Sequence, residues 1–575
     1  MMEAMNQFLA AANAILWNDY VLYVLLGTGI VFTFRSGFSQ YRSLTHGFSV
    51  VRGKYDHPDD PGAINHFQAL SAALSATVGL GNIGGVALAI ALGGPGAVFW
   101  MWVIGLFGMA TKLVEVTLSM LYRNIDNPGN PHGGPMWVVA EGLKLKGPGW
   151  AKLGRVIGVI FCLTTLIMCM TGGNMFQAWN VGEITQAYFG IPSIVCGVVL
   201  VIVVGTAILG GITRIGAIAG RLVPGMLALY LIAALAVVAV NFDQIPAMFA
   251  TIIRGAFGPL EASGAFIGGT FGYAFLFGMK RALFSSEAGM GSSPIAHSAA
   301  KTKEPVREGI VAGLEPFIDT IVVCTLTSLV ILSTGVWQRS AEATLAIDTG
   351  FMQTEAGQWT LDNNTLGART EGRWAANQQV FVLFNGDDNP ASGNQLHQIN
   401  GLIVEGEGDA LAVQWGSVSS RAAPTLHDGG IYASYVGATL TARAFDTVIP
   451  GLGKWLITIA VWLFAVSTMI SWSYYGEQSM VFLAGDRSVL PYKFVYCSLI
   501  LVATAGLLRT DVELDNLSSF GSGVMLIANL PIMWIFGGQA IRAYKDYIHR
   551  FDSGKVGDDH EPPSLNDLIS GKDVL

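Results

Sequence analysis

The sequence predicts an all-α protein that crosses a membrane many times and carries a small β-rich insertion. Hydrophobic residues make up 52% of the 575 residues and charged residues only 13%, against roughly 25% charged residues in soluble domains. Apolar stretches long enough to cross a bilayer recur along the chain, which indicates several transmembrane helices. One long polar, acidic stretch interrupts them and predicts the insertion.

We predict eleven membrane segments, at 17–34, 67–91, 97–121, 156–179, 190–210, 222–241, 264–284, 308–335, 452–475, 493–508 and 518–541. Lys and Arg are concentrated in alternate connections between these segments, and such residues mark the cytoplasmic side of a membrane. The pattern predicts an N-terminus outside the cell and a C-terminus in the cytoplasm, with the lipid bilayer around the segments.

The chain then divides into a membrane core in two parts, an insertion and a tail. The core takes residues 1–336 and 441–546, the insertion 337–440, and the polar cytoplasmic tail 547–575. Eleven acidic residues against four arginines give the insertion most of the chain's net charge of −8. Its β-like runs at 379–384 and 412–415 are separated by turn signals, so we expect a small extracytoplasmic domain.

Acidic residues cluster in two turns of the insertion, at 385–388 and 406–409. Carboxylate oxygens are suitable ligands for Ca²⁺, but the spacing of these residues matches no metal-binding loop. Solvated turns are therefore the favoured interpretation, and a Ca²⁺ site is the alternative.

The placement of cysteine and histidine argues against redox and metal functions. The cysteines all fall in apolar segments, which indicates small buried side chains rather than disulfides or metal ligands. No two histidines are expected to face each other within a predicted span, which argues against a haem or metal protein. No nucleophile with a neighbouring base is visible at membrane depth. We therefore expect no enzyme activity, no cofactor and no nucleic-acid partner.

The second predicted span contains the glycine-rich stretch Val78-Gly79-Leu80-Gly81-Asn82-Ile83-Gly84-Gly85. Each glycine weakens a helix by about 1 kcal/mol relative to alanine, and loosened backbone at membrane depth is tolerated only inside protein or along a cavity. We predict a broken helix that binds a ligand, with tight helix packing as the alternative. The seventh span is also glycine-interrupted, at positions 264, 268, 269, 272 and 278, and such a pair favours a transporter site.

Several motifs resemble those of the alanine/glycine:cation symporter family. They are Gly79-Leu80-Gly81-Asn82-Ile83, the run from Ala89 to Trp102, Gly133-Gly134-Pro135-Met136, Gly173-Asn174-Met175-Phe176-Gln177, the run from Leu283 to Gly289, the run from Glu315 to Thr320, and the run from Trp472 to Glu477. The resemblance covers nearly all of the chain outside the insertion. It implies Na⁺-coupled uptake of alanine or glycine across a bacterial inner membrane. It also implies a leucine-transporter-type fold, with inverted repeats over spans two to six and seven to eleven and the first span as an added helix.

The resemblance implies a position for the Na⁺ ion, which serves as coupling ion. Na⁺ is a hard cation and prefers oxygen ligands. The carbonyls of Ser75 and Val78 at the break and the hydroxyls of Ser467 and Thr468 in the ninth span are expected to hold it. Hydroxyls that simply bond to their own helix or to a neighbouring helix are the alternative.

A small zwitterionic amino acid needs hydrogen-bond donors for its carboxylate. A half-helix N-terminus supplies them as backbone N–H groups. We expect these from the stretch of Gly79, Leu80, Gly81 and Asn82.

The ammonium group of the same amino acid needs acceptors. Thr77 and the carbonyls of Phe277 and Gly278 are the candidates for this role. Gln177 and Trp472, at family motif positions, are expected to wall the pocket, Gln177 by hydrogen bonding and Trp472 by limiting side-chain volume. For Trp472 an ordinary aromatic contact between helices is the alternative.

The sequence departs from the usual family pattern at a few positions. Leu80 stands where threonine is usual, Gly84 where alanine is common, and Met279-Lys280-Arg281-Ala282 replaces Val-Ala-Arg-Gly. Leu80 removes a hydroxyl beside the expected site but leaves the backbone donors in place. We therefore expect it to affect substrate preference more than transport. The insertion is also outside the usual pattern.

Charged residues inside the predicted spans need an explanation. Lys112 and Glu115 are three residues apart on one helical face and are expected to form a structural pair. Asp319 lies about one turn deeper than Glu315, and a buried carboxyl there could carry protons or act as a polar anchor bonded to neighbouring backbone. A proton-coupled symporter is accordingly one alternative, and an ion channel with the break as its filter is the alternative from another class.

Overall fold

The structure, a computed structural model, describes residues 2–346, 348–355, 357–389, 392–406, 411–435, 437–506, 511–556 and 562–570. Helices from both halves of the chain share one large buried apolar core. A smaller β-sheet domain with its own apolar core interrupts the second half.

The first half of the chain is entirely helical apart from its connections. Its helices are α1 (Met2–Leu16), α2 (Asp19–Arg35), α3 (Ser39–Arg42), α4 (Phe48–Val51), α5 (His66–Thr77), α6 (Val86–Gly93), α7 (Gly96–Tyr122), α8 (Pro135–Lys144), α9 (Pro148–Met170), α10 (Phe176–Phe189), α11 (Ser193–Ile208), α12 (Gly211–Val240) and α13 (Ile245–Phe257). A capping box starts α5, in which the Asn65 side chain and Gln68 satisfy each other's backbone N–H groups.

The second half contributes the remaining helices on either side of the sheet domain. They are α14 (Phe271–Ser286), α15 (Ser293–His297), α16 (Pro305–Ala312), α17 (Leu314–Pro316), α18 (Thr325–Ser333), α19 (Ala438–Val448), α20 (Leu452–Ala484), α21 (Val489–Thr504), α22 (Asp511–Asp552) and α23 (Leu565–Ser570).

Four short π-helical segments connect or interrupt these helices within the described chain, at Ser43–Gly47, Gly81–Gly85, Thr171–Met175 and Phe317–Cys324. Such segments widen the helix by one residue per turn and are frequent at functional sites. The segments Gly81–Gly85 and Phe317–Cys324 contact each other in the centre of the bundle.

Within the described residues, seven helical stretches are long and apolar enough to cross a membrane: Phe8–Arg35, Gly96–Tyr122, Pro148–Phe189, Gly211–Val240, Pro305–Ser333, Leu452–Ala484 and Asn516–Asp552. The bent pair His66–Thr77 and Gly81–Gly93 adds an eighth. The multi-pass helical class is thus confirmed.

The number of eleven spans is not confirmed. The predicted spans at 190–210, 264–284 and 493–508 correspond to α11, α14 and α21, which have 16 residues each. A helix of that length extends roughly 24 Å, less than the hydrocarbon thickness of about 30 Å. These three helices are therefore too short to qualify as spans by length.

The insertion is β-rich, as the sequence predicts. Its strands are β1 (Ala343–Thr344), β2 (Phe351–Gln353), β3 (Trp359–Leu361), β4 (Gln379–Asn385), β5 (Leu396–Glu405), β6 (Leu411–Trp415) and β7 (Thr425–Ala433). Five of them form an antiparallel sheet in the order β1-β7-β4-β5-β6, and β2 pairs with β3. Alternate residues of β4 face opposite sides, so Val380 and Val382 enter the domain core while Phe381 and Leu383 pack on Ala265 ahead of α14.

Helix α19 joins the sheet domain to the centre of the bundle. It begins shortly after β7 and packs on the π-helical segment Gly81–Gly85. The hydroxyl of Thr441 donates to the Ile83 carbonyl at 3.0 Å. Gly84 lies so close that a β-carbon there would be 2.8 Å from the backbone nitrogen of Ala438. The insertion is therefore attached directly to the bent span.

Candidate binding site

The second span is broken at the glycine-rich stretch, as the sequence predicts. Helix α5 ends at Thr77, and Val78 is extended with φ −77° and ψ 95°. The chain then bends by 54° into α6. The N–H of Gly79 donates to Asn82 Oδ1 at 2.9 Å, and the N–H of Asn82 donates to the Gly79 carbonyl at 3.0 Å. Both of these expected carboxylate donors are thus engaged with each other inside the bend.

Oxygen atoms from α5 and α20 meet beside this bend. The hydroxyls of Ser467 and Thr468 lie 3.4 Å and 3.3 Å from the Ser75 carbonyl, and all three residues are buried. The Ser75 hydroxyl in turn donates to the Ser467 carbonyl at 2.7 Å. Gly79 brings the peptide that follows Val78 close to α20, because a β-carbon on Gly79 would lie 3.1 Å from Thr468 Oγ1. The structure therefore brings the four residues predicted to hold Na⁺ into one neighbourhood.

The Phe464 carbonyl belongs to the same neighbourhood and was missed by sequence reasoning. It accepts a hydrogen bond from the Ser467 hydroxyl at 2.9 Å. The Ser467 hydroxyl has one proton, so it can donate to the Phe464 carbonyl or to the Ser75 carbonyl, but not fully to both at once. Only oxygen atoms converge here, and such a set suits a hard monovalent cation. A backbone carbonyl carries no side-chain signal, which explains why the sequence did not reveal it.

A second polar group links the bend to the other half of the bundle. The amide nitrogen of Asn82 donates to the Asp319 carboxylate and lies 3.3 Å from Ser285 Oγ. The hydroxyls of Ser285 and Thr320 also donate to Asp319, the latter at 2.9 Å. All four side chains are fully buried. Asp319 is therefore anchored by side chains from three elements rather than by neighbouring backbone alone.

Arg281 of α14 lies against the bend. A β-carbon on Gly81 or Gly85 would lie 2.1 Å or 1.8 Å from the Arg281 guanidinium nitrogens. Residues four apart share one face of a helix, so these two glycines together leave space for the side chain. The guanidinium also interacts electrostatically with Asp319. A glycine pair at this spacing next to an arginine-bearing span was the available sequence signal.

The neighbourhood of Trp472 and Gln177 lies further along α20. Trp472 follows Thr468 by four residues on the same helix face and is 2% exposed. It packs on Gly173, where a β-carbon would lie 2.5 Å from Trp472 Cβ. Gln177 lies in the first turn of α10, shortly after Gly173 in the chain. Its amide nitrogen donates to the Gly172 carbonyl at 3.0 Å. The π-helical segment Thr171–Met175 thus connects both residues, whose roles toward a ligand stay predictions.

The interruption predicted inside the seventh span is wrong in position. Phe277 and Gly278 lie inside the unbroken helix α14. A β-carbon on Gly278 would lie 2.4 Å from the Ala97 carbonyl of α7, so this glycine permits close helix packing. The break lies instead after this helix, which ends at Ser286 and is followed by Glu287 with a φ of 52°, before α15.

Thr77 is no better placed to accept a hydrogen bond from an ammonium group than the carbonyls of Phe277 and Gly278 in α14. Its side chain is buried, and its hydroxyl lies 3.4 Å from the carbonyl of Leu74 in its own helix. As an ammonium ligand Thr77, like Phe277 and Gly278, stays a prediction.

Buried ionisable groups also gather around the start of α5, at the opposite end of that helix from the bend. Lys112 lies 3.7 Å from Glu115, as predicted, but closer, at 3.2 Å, to Glu315. His66 and His297 both hydrogen-bond to the Glu308 carboxylate. Both histidines lie outside the predicted spans, and the sequence did not reveal this pair because the residues are far apart in the chain.

Among the described residues, no three His, Cys, Asp or Glu side chains are placed to hold a metal ion such as Ca²⁺. The acidic turn at 385–388 lies within the described residues, whereas most of the turn at 406–409 lies outside them. A Ca²⁺ site at the second turn therefore stays an untested alternative.

A bent helix in the middle of a multi-helix bundle, with polar groups gathered at the bend, is typical of secondary transporters. The core belongs to this class of membrane protein. The chain belongs to the sodium:alanine symporter family, whose model matches residues 2–366 and 418–561. The unmatched residues between these two ranges all fall within the insertion. Family membership also makes the protein a transporter rather than an enzyme.

Relatives of known name cover nearly the whole chain. The sodium/alanine symporter AgcS of Methanococcus maripaludis is 34% identical over 535 residues, which are 93% of this chain and 95% of that protein. The putative sodium/proton-dependent alanine carrier protein YrbD of Bacillus subtilis is 31% identical over 548 residues, 94% of this chain and 92% of that protein. The solved structure of MhsT in complex with L-phenylalanine is similar with 13% identity and a TM-score of 0.45, over 84% of this chain and 92% of that chain.

Proposed function

We propose that this protein is a Na⁺-coupled symporter that imports alanine, glycine or a similar small neutral amino acid by alternating access. The observation that carries the proposal is the set of oxygen atoms at the bend. The buried Ser467 hydroxyl lies within hydrogen-bond distance of the carbonyls of Ser75 and Phe464. The Thr468 hydroxyl lies within the same reach of the Ser75 carbonyl. A Na⁺ ion between them would replace these long, shared hydrogen bonds with ligand contacts. The carbonyl of Val78 completes the proposed set.

The amino acid is proposed to bind on the other side of the bend. Its carboxylate would meet the backbone at Leu80 and Gly81. The Arg281 guanidinium lies beside this backbone, in the space that Gly81 and Gly85 leave. Positive charge and N–H groups at a half-helix N-terminus both favour an anionic group. Gln177 and Trp472 would limit the space for its side chain, so alanine or glycine would fit and leucine would not.

Coupling follows from the shared bend. Na⁺ bound at Ser75 and Thr468 would fix the end of α5, and the amino acid needs the same backbone held in place. Each ligand then raises the affinity for the other by the same factor. The driving force for uptake would be the inward Na⁺ gradient.

The family name and the name of AgcS support sodium and alanine, whereas the name of YrbD includes protons. A proton-coupled symporter with Asp319 as carrier is therefore the second candidate. Its supporting observation is the burial of Asp319 between Asn82, Ser285 and Thr320.

Uptake of labelled alanine into vesicles that contain the purified full chain separates the candidates. We expect uptake to require an inward Na⁺ gradient, to saturate with substrate, and to be competed by glycine and L-alanine more strongly than by serine. D-Alanine in the same competition would define the stereochemical preference. Equal uptake after replacement of Na⁺ by choline, or uptake driven by a pH gradient alone, would favour the proton-coupled candidate. Unsaturable flux would favour a channel.

The membrane arrangement is part of the same proposal. We infer a bacterial inner membrane from the family. We infer an N-terminus outside the cell, a C-terminus in the cytoplasm and the insertion outside, because Lys and Arg are concentrated in alternate connections. The two inverted five-helix repeats, with the first span as an added helix, belong to this proposal as well. Labelling of single introduced cysteines by an impermeant reagent would test the orientation.

A further inference from the structure

The buried group at the start of α5 is built from side chains of several elements and is separate from the bend. Its members are His66, Lys112, His297, Glu308 and Glu315, and all five are fully buried. Ionisable side chains in a bilayer-embedded core are costly and are usually functional. The proposed transport mechanism above does not use any of them.

The contacts of His297 define what this group must contain. Its Nδ1 lies 2.5 Å from Glu308 Oε1, and its Nε2 lies 2.7 Å from Glu315 Oε1. A neutral imidazole has one N–H donor and one bare nitrogen. With two ionised carboxylates, one of the two contacts would therefore bring a nitrogen lone pair against a carboxylate oxygen. Both contacts are attractive only if the three groups together hold one further proton, on the imidazole or on a carboxyl group.

The surroundings of these two carboxylates favour the same extra proton. The second oxygen of Glu308 accepts from His66, and the second oxygen of Glu315 lies 3.2 Å from the Lys112 ammonium. The further ionisable groups that interact with the cluster from the neighbouring elements are Glu115, Arg123, Glu287 and Tyr475. Together with Glu308 and Glu315, the residues Glu115 and Glu287 give four carboxyl groups against two permanent cations, Lys112 and Arg123. Buried charge without compensation is strongly destabilising.

We propose that Glu308, His297 and Glu315 form a proton-binding site, distinct from the proposed Na⁺ and amino-acid sites, and that the bound proton holds α5 against α15 and α16. His66 is the first residue of α5, so its bond to Glu308 ties that helix to the cluster. Loss of the proton makes one contact of His297 repulsive and weakens the group that holds α5. Opening of this end of the bundle, which the loop charges predict to be cytoplasmic, is then favoured as pH rises.

Proton binding and closure are reciprocal, because a proton that favours the closed end is itself bound more tightly when that end is closed. Opening would therefore release the proton on that side. The effect of pH on closure is measured through uptake and therefore rests on the proposed transport function. The bound proton itself can be measured without any transport.

The direct test is a nitrogen NMR measurement on the full chain with ¹⁵N-labelled histidine, together with infrared detection of carboxylic acids. At a pH of about 7.5 a free imidazole is mostly neutral. We expect either one imidazolium signal or one buried carboxylic acid band at this pH, and its loss in the His297→Asn variant. A spectrum with only neutral histidines and no such acid would overturn the proposal, whatever the protein transports.

The second test compares the pH dependence of uptake in His297→Asn and Glu315→Gln with that of His132→Asn. His132 is a part-buried histidine bonded to Gln478 at 2.8 Å, outside the cluster. A single proton changes an equilibrium by at most about tenfold per pH unit. We expect uptake by the unaltered chain and by His132→Asn to have the same pH dependence, and both cluster variants to lose it. The Na⁺ requirement of uptake should be unchanged in the cluster variants. Retention of the full pH dependence in both cluster variants would contradict the role in closure. Failure of Na⁺-driven uptake in the unaltered chain would instead count against the proposed function, and the NMR result would still stand.

Discussion

The bent second span and the unbroken helix α14 are both rich in glycine, yet their glycines do different things. Gly81 and Gly85 leave space for the guanidinium of Arg281, whereas Gly278 leaves space for the Ala97 carbonyl of the neighbouring helix α7. In the first case a polar side chain enters beside loosened backbone, and in the second two regular helices approach closely. Glycine content alone therefore does not distinguish a binding site from a packing contact. The distinction depends on which group occupies the space beside the glycine, a polar side chain or the backbone of a neighbouring helix.

The largest expected effect separates these two kinds of glycine directly. In Gly85→Ala the new β-carbon would meet the tip of a flexible arginine side chain, so the fold should persist while the site is displaced. We expect uptake to fall by roughly tenfold or more, the equivalent of about 1.4 kcal/mol, with little change in Tm.

The matched control is Gly278→Ala, in which the β-carbon would meet backbone. Overpacking of this kind costs about 1–3 kcal/mol of folding free energy, so a lower Tm and a smaller yield of folded protein are expected. Normal uptake by Gly85→Ala, or equal loss of Tm in both variants, would remove the distinction between the two regions.

A somewhat smaller effect is expected from the hydroxyls that face the bend. Replacement of both Ser467 and Thr468 by alanine removes two proposed Na⁺ ligands, each worth about 0.5–1.5 kcal/mol as a net polar contact. The Na⁺ concentration for half-maximal uptake should rise by roughly tenfold. Ser473→Ala is the control, because its buried hydroxyl bonds to the Ile470 carbonyl of its own helix. An unchanged Na⁺ requirement in the double variant would exclude this position for the ion.

Contact of α19 with the bend should have a moderate effect. Thr441→Val keeps the shape of the side chain but removes the hydrogen bond to the Ile83 carbonyl, a loss of about 1 kcal/mol and hence about fivefold in uptake. Thr447→Val is the control, because the Thr447 hydroxyl bonds to Arg443 within α19 itself. Identical uptake rates in the two variants would show that α19 does not support the bend.

The smallest effect is expected at Leu80. Leu80→Thr restores the residue usual in the family without a change in the backbone donors. We expect the ratio of alanine to glycine uptake to change by roughly threefold, less than the tenfold or so that one methylene group is worth in a tight pocket. The Na⁺ requirement should not change. A large loss of uptake would mean that the Leu80 side chain itself shapes the bend.

The bend and the β-runs of the insertion could be predicted from the sequence because each depends on local composition. Glycines at 79, 81, 84 and 85 weaken one short stretch, and a short apolar run rich in Val and Phe at 380–384, followed by a turn signal, predicts a strand. The family motifs added the pairing of Ser75 with Ser467 and Thr468, residues that are far apart in the chain.

Features that depend on distant backbone or on side-chain direction could not be predicted. The Phe464 carbonyl has no counterpart in residue type, and Arg281 near the end of a predicted span could equally face solvent. His66, His297 and Glu308 meet only because three separate helices converge. The break after α14 was misplaced because Gly278 carries the same local signal as Gly81, and only packing distinguishes them.

The sheet domain is attached to the core by neighbouring strands. Its first strand, β1, pairs with its last, β7, through Ala343 opposite Ile431, and adjacent strands lie only about 4.8 Å apart. The chain therefore leaves the core and returns to it at nearly the same point. Excision of the domain would leave two ends that a very short linker can join, so the domain is a removable module and a natural place to graft a reporter outside the membrane.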